Sequence, residues 1–161
     1  MTAGQRLRRV VRSDRGGDGG NAIIEFVFVA VIVMVPLVYF IVAVAVVQRS
    51  QLAVSQAARE AGRAFATSRG PAEAQFRVAT AVRLALAAQG LRDDATVRYV
   101  ASGSGCSAAA ITPRVAPGAQ FTVCVSRHVE LPGVPSVLSG RGVAAVGVYV
   151  VHIDDYRAVS A

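Results

Sequence analysis

Hydrophobic and polar positions divide this chain into three stretches with different periods. From Phe26 to Val47 the sequence FVFVAVIVMVPLVYFIVAVAVV runs for 22 residues without a charge. As a helix at about 1.5 Å per residue it spans roughly 33 Å, enough to cross a hydrocarbon core. Pro36 lies mid-run, where proline is tolerated in a spanning helix and usually kinks it. Beyond Val47 the pattern turns amphipathic without a break. Leu52, Ser55, Arg59 and Gly62 fall at three- and four-residue steps, beside a small-residue stripe of Ala53, Ala57, Ala58, Ala61 and Ala64. One helix from about Ile23 to about Thr67 is the simplest reading, and such a stripe lets helices approach closely.

Ser68-Arg69-Gly70-Pro71 then punctuates the chain. A second helix is predicted from about Ala72 to Gln89, with Phe76, Ala79, Val82 and Leu86 on one face and Gly90 as its C-terminal cap. From there the period falls to two. Thr96–Val100, Gln120–Val125 and Ala144–Ile153 read as strands, separated by the loop-like stretches SGSGCS and LPGVPSVLSGRG. The fold class is therefore α+β: a long N-terminal helix extending into a small domain with a second helix and a short antiparallel sheet. A chain of 161 residues allows one such domain plus an anchor.

Charge refines the picture. Arg6, Arg8, Arg9, Arg12 and Arg15 precede the apolar run against only Asp14 and Asp18. That asymmetry predicts a cytoplasmic N-terminus and an extracytoplasmic C-terminal domain, a single-pass topology in the cytoplasmic membrane. The run is too long for a signal-peptide h-region, and Gln48-Arg49-Ser50 supplies no small-x-small cleavage site. The formal net charge is +7, but no basic stripe is interleaved with aromatics and Trp is absent, so nucleic-acid binding is not expected.

Catalytic signals are thin. His128 and His152 are the only histidines. His152 with Asp154 and Asp155 is a weak metal motif, for which a solvated strand end is the better reading. There is no GxSxG elbow, P-loop, GxGxxG or CxxC, so no enzyme activity, cofactor, catalytic residue or metal site is expected. Cys106 and Cys124 lie beyond the anchor. In an oxidising compartment a disulfide between them would close a loop of about 19 residues, worth roughly 3 kcal/mol in the chain-entropy model; two free buried thiols are the alternative.

The junction Gly20-Asn21-Ala22-Ile23-Ile24-Glu25-Phe26 remains. A carboxylate at the edge of a hydrocarbon core costs a few kcal/mol unless paired, or it sits at headgroup level favoured by the helix dipole. A basic leader, Gly20 and Glu25 ahead of an apolar helix resemble the prepilin-peptidase signal of type IV pilin-like proteins. GNAIIEFVFVAVIVMVPLVYF, continued by QLAVSQAAREAGRA, more narrowly resembles the TadE-like family of pseudopilins in tight-adherence (Flp-type, type IVc) pilus systems, over about residues 19–67.

The resemblance implies a minor pilin with three segments: a cleaved basic leader 1–20, a transmembrane and assembly helix 21–67, and an exported domain 71–161. Gly20 and Asn21 would form the processing site of a prepilin peptidase. Glu25, with Phe26 beside it, would set the register between subunits by pairing with a neighbour's new Asn21 α-amine. The implied partners are that peptidase, other pilin or pseudopilin subunits, assembly-platform proteins and membrane lipid, and the subunit would enter a cell-surface pilus. An uncleaved single-pass protein whose extracytoplasmic domain binds a partner is the competing reading.

Overall fold

The structure is a computed structural model that describes residues 18–131, 133 and 143–156, with side chains from Ile23 onward. The five leader arginines and most of the LPGVPSVLSGRG loop lie outside the described residues. Five elements follow one another: α1 (Asp18–Ala66), α2 (Pro71–Ala88), β1 (Thr96–Ala101), β2 (Gln120–Val129) and β3 (Val143–His152). The chain divides into two compact units, Met1–Phe40 and Ile41–Ala161.

The first unit holds the beginning of α1, where large apolar side chains stand exposed on every side of the helix. The second unit contains the core. Its sheet is antiparallel with strand order β1-β2-β3, so β2 is central. Tyr99 stands opposite Val123 on one side of β2 and Tyr149 opposite Val123 on the other. Alternation along the strands sends Phe121, Val123 and Val125 to one face, where they join Ala53, Val54, Ala57, Ala58 and Ala61 of α1 in a single buried cluster. Ala53, Ala57, Ala58 and Ala61 of the stripe thus lie in the domain's own core, in one buried cluster with residues of α2 and of the sheet.

Two glycines permit that approach. Gly147 of β3 lies where a Cβ would run into the backbone carbonyl of Val54, and at Gly62 of α1 a Cβ would meet the ring of Tyr149. Gln51 Nε2 also donates to the Val146 carbonyl at 2.8 Å. Phe65 closes the end of this interface, with ring centroids 4.8 Å from Phe121 and 5.7 Å from Tyr99.

Between the helices, the Ser68 hydroxyl donates back to the Ala64 carbonyl at 2.5 Å. Pro71 opens α2 in its first turn, where a missing N–H costs nothing. At the other end Gly90 takes φ 64°. Its N–H donates to Ala87 and that of Leu91 to Leu86, the paired bonds of a Schellman cap. The buried face of α2 differs from the expected one. Val82 and Leu86 are buried, but with Ala74, Val78 and Ala85, while Phe76 is 74% exposed. Residues 74, 78, 82 and 85 form one stripe at helical spacing, and Phe76 lies about 200° around the helix from Ala74.

The opposite face of the sheet carries Thr122 and Cys124. The β1–β2 connection folds back along the other edge of β1: Ala110 bridges to Val100, and the Ile111 N–H donates to the Tyr99 carbonyl at 2.9 Å. A disulfide joins Cys106 to Cys124, anchoring this connection to the central strand.

Candidate membrane anchor and assembly junction

The candidate anchor is built from β-branched and aromatic residues in helical conformation. Val, Ile and Phe give up side-chain freedom in a helix, so propensity alone does not explain this segment. A helix apolar on all sides is a solution for lipid, where backbone groups must bond within the segment. α1 is one helix long and apolar enough to cross a membrane, and none of its most apolar stretch is buried within the protein. Pro36 lies inside it.

The sequence-predicted junction falls at the start of this helix. Gly20 and Asn21 lie in the first turn of α1, whose N–H groups have no partner one turn back. Glu25 and Phe26 follow one turn later, both exposed. Glu25 makes no ion pair among the described residues. The junction therefore presents a carboxylate at the mouth of the uncharged run Phe26–Val47, along which large apolar side chains stand exposed.

The weak metal motif resolves into local contacts. His152 Nε2 lies 3.7 Å from Asp155 Oδ2, and Asp154 Oδ1 accepts the Tyr156 N–H at 2.9 Å. No group of three metal-ligating side chains occurs among the described residues.

A second cluster is not visible in the sequence. Arg127, on β2, lies with its side chain 12% exposed between α1 and the segment after α2. Its Nε and Nη2 donate to the Asp94 carboxylate at 2.5 and 3.1 Å, and Nη1 donates to Ser50 Oγ at 3.1 Å. Ser50 is fully buried. The contacts join residues 33 and 77 positions apart, so no local spacing could reveal them. They matter because they fix a guanidinium immediately beyond the apolar run. Comparison with known protein families, curated proteins and solved structures finds no match for this chain.

Proposed function

We propose that the chain is a minor pseudopilin of a tight-adherence, type IVc pilus or a related secretion machine. In this reading a prepilin peptidase removes residues 1–20, the apolar helix anchors the subunit in the cytoplasmic membrane, and the domain beyond it is extracytoplasmic. The observation that carries the reading is the Gly20-to-Glu25 junction at the mouth of a helix exposed in apolar character on all sides. Such a surface needs lipid or neighbouring apolar helices, and assembly supplies each in turn.

The chemistry is separable into two steps. Glycine at position 20 leaves room in a protease subsite that a side chain would fill. Cleavage creates an ammonium at Asn21, at the positive end of the helix dipole, where it is disfavoured. A neighbour's Glu25 offsets that cost, and in a low-dielectric bundle the pairing penalises any other stagger.

The N-terminus of the membrane-extracted protein, measured by mass spectrometry with and without the host's prepilin peptidase, tests the first step. A chain beginning at Asn21 only when the peptidase is present is the expected outcome. An intact N-terminus under both conditions would sink the pilin reading and leave an uncleaved anchored domain. Gly20→Val blocks the first step, processing, whereas Glu25→Ala is processed normally but fails in the second, entry into the assembly. Normal incorporation of Glu25→Ala would remove the register role.

A further inference from the structure

Just beyond the apolar run, the second unit contains a cavity of about 270 Å³. Val46, Leu91 and Val129 make part of its wall apolar, and Arg49, Arg92 and Arg127 make another part cationic. Arg127 is already fixed in place by Asp94 and Ser50. Those contacts use three of the five N–H donors of its guanidinium, leaving two on a group whose orientation is set in advance. A fixed guanidinium beside further arginines suits the oxygens of a phosphate.

The charges around the cavity leave a surplus. Asp94 is matched by Arg127. Glu130 offsets one of the two remaining arginines, and His128 completes the polar wall. Arg49 and Arg92 are both exposed and form no ion pair among the described residues. Position supplies the second constraint. Val46 and Arg49 stand on either side of Val47, the last residue of the uncharged run. Arginines at such a boundary reach headgroup level while their stems stay on apolar surface.

We propose that this cavity binds a phosphate-bearing anion, and that its source is the phosphodiester headgroup of an anionic phospholipid. The apolar wall beside the cations favours a headgroup that carries glycerol and chains over free phosphate. The lipid source rests on the membrane-anchor part of the function proposed above; the anion chemistry does not. Bound there, a lipid would hold the domain against the membrane at the level where α1 becomes polar.

The test uses the full chain in micelles of an uncharged maltoside detergent. Dioctanoyl phosphatidylglycerol, dioctanoyl phosphatidylcholine and inorganic phosphate are titrated separately, with binding read from 31P line broadening. Phosphatidylglycerol binds at least about tenfold more tightly than the other two, and the Arg49→Gln/Arg92→Gln double variant loses that advantage. Far-UV circular dichroism checks that this variant is folded, which is expected because both side chains are exposed. Inorganic phosphate binding as tightly as the lipid, and lost in the variant, would overturn the lipid source. Equal phosphatidylglycerol binding by the variant and the parent would overturn the cavity as the site. Alkaline carbonate extraction of host membranes tests the anchor independently: release of a protein that still binds phosphate in micelles would sink the anchor and not the cavity.

Discussion

Thr122 shows how one side chain can cost stability inside a sound fold. It lies on the central strand, 1% exposed, and its hydroxyl has no hydrogen-bond partner among the described residues. Valine has the same shape without the unpaired polar group, so Thr122→Val is expected to stabilise the protein by about 1 kcal/mol. An unchanged or lower melting temperature would mean that the hydroxyl is satisfied. Tyr99 makes a second prediction from its environment. Burial against Phe65 and Phe121 pushes its phenol pKa above the usual 10.0. The unfolded chain then ionises first as pH rises, so the stability contributed by the neutral ring is complete below pH 10 and is lost progressively above it. Tyr99→Phe flattens that alkaline decline in denaturant melts taken across this range. An identical slope in the variant would exonerate Tyr99. Neither effect was legible in the sequence, because alternation places a residue on a face of a strand without saying what covers that face.

At the scale of elements the sequence was informative, and its failures have a common cause. The long helix, the second helix and the three strands are each announced by a change of period, and Gly90 ends α2 with φ 64° because only the left-handed region completes that cap. What periodicity could not supply is the partner. It marked the alanine stripe of α1 as a close-approach face without saying that α2 and the sheet of the same chain share the buried cluster with it. It placed Phe76 on the buried face of α2, yet smaller residues turn inward and leave Phe76 out. Gly147 is the clearest case: in sequence it weakens a strand, whereas in the fold it admits the α1 backbone. Gly147→Ala therefore destabilises the domain by about 3 kcal/mol or prevents folding, since the atom it would strike is backbone and cannot rotate away. Gly105→Ala is the control, its new Cβ meeting only Ser107 Oγ at 3.9 Å. Equal melting temperatures for the two variants would show that helix and sheet are less closely packed than described.

For the whole molecule, the division of apolar residues between core and surface makes the strongest demand. The buried hydrophobic core begins at Ala53 and ends at Ile153, while the exposed large apolar side chains cluster from Ile23 to Val44. These two sets do different work. The first is closed by contacts between α1, α2 and the sheet, and is reinforced by the Cys106–Cys124 disulfide, worth about 3 kcal/mol by loop closure. The second stays exposed within the described chain, as suits a candidate membrane span. It follows that residues 48–161 should fold without the segment before them. The twelve arginines and seven acids in that stretch favour solubility. Expressed in an oxidising compartment, this fragment is expected to elute as a soluble species, with mixed helix and strand signal in circular dichroism and no free thiol. The full chain needs detergent to do the same. Reduction should lower the fragment's stability by about the loop-closure amount. Aggregation of the oxidised fragment would mean that the apolar helix contributes to folding the domain.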